Sequence, residues 1–352
     1  MKRHPIITFF ILTYAITWAI ESPLVFLTDS VTATQGLVLV ILASNVPSAV
    51  AIVLTAIVLG RGALRKLLAR LLIWRVNPFW YLVVFLGPVA LTGGVVGLNA
   101  LMGGPALSLG MTLVGVVIFF AFSIFPGSAL GEEIGWRGYV LPRLQSRMSA
   151  LSASLLIAPL WGLWHLPLWL TGDPVKTPTF YVPFFVAVFA LSVILTWVYN
   201  STRGSLLMVV LAHATFNLPI TLTIDDLGTR ATVPVLFYWG LMIVAAIVVV
   251  IWAGPEHLSR KRKKQQQEEG GLQSLGSLRL LLGLLSQPPR ELRRYPSERL
   301  EARRRKDRSL RKLRSFSMSP LFTGVRGKII LRNSYPAYCI GRARRAELNA
   351  FP

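Results

Sequence analysis

Cysteine is nearly absent from this sequence: Cys339 is the only one among 352 residues. A single cysteine excludes an intrachain disulfide framework and any metal site built from several cysteines of one chain. Charged residues are also few, at 15%, whereas 53% of the residues are hydrophobic and the mean hydropathy is +0.58. This composition is untypical of a soluble domain and indicates a membrane protein.

Charge is scarcest in eight apolar stretches, each long enough to cross a hydrocarbon layer of about 30 Å as a helix. We therefore predict an all-α fold, a polytopic membrane helix bundle of about eight transmembrane helices. The first stretch is interpreted as a retained helix and not as a removable signal peptide, because its apolar run is long and no A-x-A-like site closes it. The stretches are 5–28, 36–60, 79–103, 110–136, 150–170, 181–199, 204–223 and 232–253.

Lys and Arg are unevenly distributed over the segments that connect these stretches. The N-terminus and the links after the second, fourth and sixth stretches hold 11 of them, whereas the opposite links hold two, Lys176 and Arg230. By the positive-inside rule, this bias predicts a multi-pass protein of the cell membrane with cytoplasmic N- and C-termini. The basic run 61–75 has an amphipathic spacing that predicts a helix on the cytoplasmic membrane surface.

The composition changes near Gly254. Residues 255–352 contain 24 Lys or Arg against 8 acidic residues, and they lack the periodic apolar face of a packed domain. We predict a membrane-embedded domain at 1–254 and a basic, largely disordered cytoplasmic tail at 255–352. Such a tail is either a solvated extension or a contact for anionic lipid, and no specific nucleic-acid partner is expected.

A few ionisable side chains interrupt the apolar stretches. Two glutamates facing lipid, Glu132 and Glu133, would cost on the order of 5 kcal/mol, so the protein interior has to receive them. Glu133 and Arg137 are four residues apart and share a helix face, which predicts a pair, whereas Glu132 points about 100° away. His213 and Asn217 share a face in the same manner.

The predicted helix ends place these groups at similar depths in the membrane. If the fourth and fifth stretches form a hairpin that turns near Ser149, Glu133 and His165 are each 16 residues from the turn. His213 follows ten residues after Arg203, which marks the cytoplasmic start of the seventh stretch. We therefore predict one cavity within the membrane, open toward the cytoplasm, that receives Glu132, Glu133, His165, His213 and Asn217.

Carboxylates and imidazoles in one cavity support three kinds of chemistry. A glutamate can deprotonate a water, and His with Asn can donate hydrogen bonds to the oxyanion formed when that water attacks an amide. The second kind is metal-assisted hydrolysis at a zinc site, with Glu132, His165 and His213 as candidate ligands. The H-E-x-x-H spacing of common zinc proteases is absent. The third is a proton or ion relay, but the sequence shows no inverted repeat or pair of broken helices.

Three motifs in this order resemble those of the CPBP family of intramembrane proteases, which includes the CAAX prenyl endopeptidases and the Abi-type bacteriocin-processing or immunity relatives. The resemblance covers roughly residues 80–220, with the core motifs in 130–220. In the family the aromatic residue of the second motif is usually Phe, so that its Trp here is an aromatic exchange. The motifs are EE-xxx-R at Glu132, Glu133 and Arg137, aromatic-xxx-His at Trp161 and His165, and H-xxx-N at His213 and Asn217.

The resemblance implies an endopeptidase that hydrolyses a peptide bond of a membrane-associated or prenylated substrate by glutamate-activated water. Glu132 would be the base, assisted by His165; His213 and Asn217 would form the oxyanion site, supported by Glu133, Arg137 and Trp161. No cofactor is expected, with zinc as the alternative. The expected partners are a peptide or membrane-protein substrate and the lipid bilayer. The alternative functions are membrane transport or proton relay, and a non-catalytic scaffold or immunity protein of the same fold.

Overall fold

The computed structural model describes residues 4–104, 112–171, 178–224 and 232–260. All regular secondary structure in these ranges is helical, which confirms the predicted all-α class. The described residues belong to one compact unit, Met1–Glu269. Most of the predicted tail, residues 261–352, lies outside the described residues, and so does Cys339.

Helices of membrane-spanning length account for most of the described chain. Two apolar helical segments, Ala150–Trp164 and Leu206–Leu218, are shorter than these candidate spans. The chain is a multi-pass membrane protein, and the exact number of eight crossings stays a prediction. Within the described ranges, six helical segments are long and apolar enough to cross a membrane: Pro5–Phe26, Ala33–Leu72, Phe79–Leu101, Leu113–Gln145, Tyr181–Ser201 and Leu236–Ala253.

Eleven α-helices are numbered in chain order over the described residues. A π-helix, Ile134–Val140, connects α6 to α7 without a loop. The α-helices are α1 Pro5–Phe26, α2 Ala33–Ser44, α3 Val46–Ala69, α4 Phe79–Leu101, α5 Leu113–Ile124, α6 Ser128–Glu133, α7 Leu141–Gln145, α8 Ala150–Trp164, α9 Pro178–Ser201, α10 Leu206–Ile224 and α11 Thr232–Ala253.

The second and the fourth predicted stretches each contain a break. The second stretch changes from α2 to α3 at Asn45, and Pro47 lies in the first turn of α3, where its missing N–H is tolerated. The fourth is interrupted between α5 and α6 at Phe125, which has an extended backbone (φ −158°, ψ 131°) and precedes a proline. A residue before proline avoids the helical conformation, so α5 ends there.

The basic run predicted to lie on the membrane surface begins at a change of direction within α3. Gly60 has φ +81° and ψ 176°, a conformation outside the helical region that residues with a side chain rarely adopt. Residues 61–69 therefore form a separate helical run, and it carries the exposed Arg61, Arg65 and Lys66. Its location at the membrane surface stays a prediction.

The π-helix and α6 pack closely against the start of α3. A Cβ at Gly131 would lie 2.5 Å from the carbonyl oxygen of Ser44, and one at Gly135 would lie 2.8 Å from that of Pro47. Glycine is required at both positions because no side chain fits between the two backbones. All seven residues of the π-helix are buried, so this segment lies in the interior of the unit.

Hydrogen bonds also fix the hairpin formed by α7 and α8. Ser149 caps α8, since its hydroxyl accepts a hydrogen bond from the backbone N–H of Ser152, which agrees with the predicted turn. The carbonyl of Glu256, beyond α11, accepts from the N–H of Ala150 at 2.8 Å, and Leu258 is fully buried. The packed chain thus extends beyond residue 254, where the tail was predicted to begin.

Candidate active site

A cavity of about 240 Å³ lies between α2, α6 and the helices α8 to α11. Its polar wall contains all four predicted catalytic residues, Glu132, His165, His213 and Asn217. The rest of the wall is mainly apolar and aromatic, and includes Val40, Trp161, Trp164, Phe184, Leu191, Phe216, Trp239 and Met242. The structure therefore brings together side chains from α6, α8 and α10 that are up to 85 residues apart in the chain.

The first motif lies where α6 continues into the π-helix. Glu132 and Glu133 are the last two residues of α6, and Arg137 lies in the π-helix. Arg137 NH1 donates to Glu133 Oε1 at 2.8 Å, and both side chains are fully buried, which confirms the predicted pair. π-Helical turns are rare and frequently accompany functional sites.

Glu132 is oriented by two tryptophans. Its Oε2 accepts a hydrogen bond from Trp161 Nε1 at 2.5 Å and a longer one from Trp136 Nε1 at 3.3 Å. Within the described part of the chain, nothing donates a hydrogen bond to the other oxygen, Oε1. Since Glu132 also lines the cavity, Oε1 is the oxygen available to a molecule bound there.

His213 is held by the second glutamate. Its Nδ1 lies 2.7 Å from Glu133 Oε1, the same oxygen that binds Arg137. Because a carboxylate accepts hydrogen bonds, Nδ1 carries the proton, and Nε2 is left for the cavity. Glu133 itself does not line the cavity. Its effect on the cavity is therefore indirect, because it fixes the ring of His213.

His165 is fixed by the backbone of α8, which it ends as the C-terminal cap. Its Nδ1 lies 2.9 Å from the carbonyl oxygen of Trp161. A carbonyl oxygen only accepts, so Nδ1 carries the proton and Nε2 of the neutral ring is an acceptor. The ring packs edge-on against Trp164 and Phe184, with centroid distances of 4.6 and 5.3 Å.

Asn217 is held by two serines that the sequence analysis did not identify. Its Nδ2 donates to Ser123 Oγ at 3.3 Å and to Ser128 Oγ at 3.2 Å, and Ser128 also lines the cavity. Both distances are long for hydrogen bonds to a hydroxyl. One of them has to be exchanged before Asn217 can donate to a bound oxyanion.

The candidate zinc ligands were tested against this geometry. Among the described residues, no three His, Cys, Asp or Glu side chains gather closely enough to hold a metal ion. Glu132, His165 and His213 share the cavity wall, and the hydrogen bonds at Glu132 Oε2 and at both Nδ1 atoms leave Glu132 Oε1 and the two Nε2 atoms for a bound group. A histidine that binds a metal through Nε2 commonly donates Nδ1–H in this way. Zinc at these three residues therefore stays the alternative predicted from the sequence.

Comparison with known proteins assigns this part of the chain to a family. Residues 112–219 match the family model of the Rce1-like type II CAAX prenyl endopeptidases. A protein named CAAX prenyl protease 2, from Methanococcus maripaludis, is 34% identical over 97 residues, which are 26% of this chain and 36% of that protein. Residues 112–219 belong to the CPBP family. The chain aligns with about a third of the length of this curated relative.

The CPBP match contains every predicted site residue, from Glu132 to Asn217. Trp136, Ser123 and Ser128 also lie within it, although the sequence analysis missed them. Trp136 follows Glu132 by four residues, a spacing that could have indicated its contact. The serines carried no such signal, because a hydroxyl in an apolar helix often bonds only its own backbone.

Proposed function

We propose that this protein is an intramembrane endopeptidase that hydrolyses a peptide bond with water activated by Glu132. The observation that supports it best is the position of the Glu132 carboxylate on the wall of a cavity shared with His165, His213 and Asn217. Family membership of residues 112–219 supports the same reaction class.

The nucleophile is a water between Glu132 and the scissile carbonyl. Glu132 Oε1 takes a proton from this water, and the oxygen attacks the carbonyl carbon. His165 orients the same water through Nε2, which is the acceptor nitrogen of its neutral ring. No covalent enzyme intermediate forms, so each turnover needs one water and returns Glu132 to its carboxylate form.

The oxyanion formed by the attack is stabilised by His213 and Asn217. With Nδ1–H bound to Glu133, His213 donates through Nε2 only as an imidazolium. In that form the second N–H, on Nδ1, is the one that Glu133 accepts. Asn217 adds its amide N–H after releasing one serine hydroxyl.

Collapse of the tetrahedral intermediate completes the reaction. The C–N bond breaks, and the proton held by Glu132 passes to the leaving nitrogen. The products are a carboxylic acid and an amine, and the proton of the acid passes to the amine to give a carboxylate and an ammonium group. The charge balance of the site is restored.

The substrate is proposed to be a membrane-associated or prenylated peptide. The larger, apolar part of the cavity wall suits a hydrophobic substrate group beside the polar catalytic groups. The name of the relative from M. maripaludis indicates the same substrate type for that protein. We place the protein in the cell membrane with the cavity open to the cytoplasm, from the distribution of Lys and Arg.

Cleavage of a quenched peptide library that includes prenylated peptides, by purified protein in detergent, tests this proposal. Glu132→Ala and His213→Ala are expected to lose activity by at least about 10²-fold. Glu256→Gln, a change at an exposed carboxylate outside the cavity, serves as the control. Undiminished cleavage by Glu132→Ala would contradict the mechanism, and loss of cleavage with a zinc chelator would make the reaction metal-dependent.

The other two functions predict different results. A transport or proton-relay protein would give substrate-dependent ion flux in liposomes without cleavage. A scaffold or immunity protein would keep its effect on the cell in the Glu132→Ala variant, because that effect would not depend on cleavage.

A further inference from the structure

Trp161 contacts four charged or titratable residues of the site: Glu132, Arg137, His165 and His213. Its indole N–H binds Glu132, its ring lies 4.4 Å below the guanidinium carbon of Arg137, and it packs edge-on against His213 at 5.5 Å. Its backbone carbonyl fixes His165. The side chain is 2% exposed, so these contacts are shielded from bulk solvent.

The indole N–H groups of Trp161 and Trp136 both reach the same oxygen of Glu132. An indole nitrogen is a donor only, so neither can take the proton that Glu132 removes from water. Two donors on Oε2 also prevent the carboxylate from turning that oxygen into the cavity. A carboxylate without them rotates freely about its last torsion, which is broad and nearly two-fold for Glu.

We propose that Trp161 and Trp136 are positioning residues that bind Glu132 Oε2 and thereby direct Oε1 into the cavity as the proton acceptor. This inference rests on the proposed function, because it assigns the two oxygens of one catalytic carboxylate different roles. Trp161 contributes more than Trp136, since its hydrogen bond is shorter by 0.8 Å.

Phenylalanine is the informative substitution at both positions. Trp161→Phe keeps an aromatic ring beside Arg137 and His213 and leaves the backbone bond to His165 unchanged, but removes the N–H donated to Glu132. The charged or titratable groups around Glu132 are Glu133 and Arg137 on its own segment, His165 on α8 and His213 on α10. All of these remain in the variant.

The kinetic test compares Trp161→Phe with Trp136→Phe and with the control Trp80→Phe. Trp80 is a buried tryptophan of α4 that packs on Trp197, away from the cavity. Trp161→Phe is expected to lower kcat about tenfold at nearly constant KM and to move the acidic limb of the pH–rate profile up by about one pH unit. Trp136→Phe gives the same changes in smaller degree, and Trp80→Phe gives neither.

A spectroscopic test needs no substrate. The ultraviolet resonance Raman difference between wild type and Trp161→Phe isolates the Trp161 indole, whose N–H band reports hydrogen-bond strength. A strongly bonded N–H is expected in the wild type, and a weaker one in the Glu132→Ala variant. This measurement distinguishes the two proposals, because it detects the hydrogen bond from Trp161 to Glu132 even if no peptide is ever found to be cleaved.

Two results would overturn the inference. One is an unbonded Trp161 indole in the wild-type spectrum. The other is an active Trp161→Phe enzyme with the kcat and pH profile of the wild type. If Trp161→Phe does not fold while Trp80→Phe does, the Raman comparison of wild type with Glu132→Ala decides the question alone.

Discussion

Loss of the charge on Glu133 is expected to destabilise the protein more than any surface change. Glu133 and Arg137 are both 0% exposed and 2.8 Å apart. Within the described residues, Nε and NH2 of Arg137 have no hydrogen-bond partner, so the bond from NH1 is the main compensation for a buried cation. Breaking such a pair by removing one partner costs about 3–5 kcal/mol, which is about two to four orders of magnitude in the unfolding constant.

A double-mutant cycle separates this pair from ordinary packing. Glu133→Gln and Arg137→Met should each lower the free energy of unfolding by an amount near that range. The double variant should lower it by much less than the sum of the two single effects, because no unpaired charge stays buried. Reversible unfolding in mixed SDS micelles can be followed by the fluorescence of the ten tryptophans. Arg65→Gln, at an exposed cation, is the control and should change stability by less than about 0.5 kcal/mol. Additive effects in the cycle, or a cost below about 1 kcal/mol for Glu133→Gln, would refute the reasoning.

Three further predictions concern packing, catalysis and topology. Gly135→Ala should lower stability by about 1–3 kcal/mol, because its Cβ would lie 2.8 Å from a backbone oxygen of α3. The control is Gly97→Ala, whose Cβ meets nothing within 4 Å and which should be neutral or stabilising. Thermal unfolding of both variants checks this. Asn217→Ala should reduce kcat by about 10²-fold with little change in KM, as expected for an oxyanion donor, and an unchanged kcat in steady-state cleavage would exclude that role. In a variant with Cys339 replaced, a cysteine at Ser146 should react with an impermeant thiol reagent only from the cytoplasmic side, and labelling from outside would reverse the predicted topology.

The parts of the site that could be predicted depend on local spacing. Glu133 and Arg137 are four residues apart in the chain, so their contact followed from helical geometry alone, and it survives the change to a π-helix. To predict that Glu132 and His213 share a cavity, only their approximate depths in the membrane were needed, because the membrane constrains where helices begin and end.

The parts that could not be predicted depend on how helices face each other. Nothing in the sequence tells that Ser123 and Ser128 turn toward Asn217, since the rotation of α5 and α6 is set by the break at Phe125. The bond from Trp161 to Glu132 likewise needs the relative height of α6 and α8 to within an ångström.

The π-helix makes the length of the segment 134–140 a functional property. Each residue removed from a helix turns everything beyond it by about 100° and shortens it by about 1.5 Å. A deletion of one residue here would leave the composition and hydropathy of the segment almost unchanged, yet it would rotate α7 and the hairpin to α8 relative to Glu132. The number of residues between Ile134 and Val140 is therefore constrained in its own right, apart from the constraints on their identity.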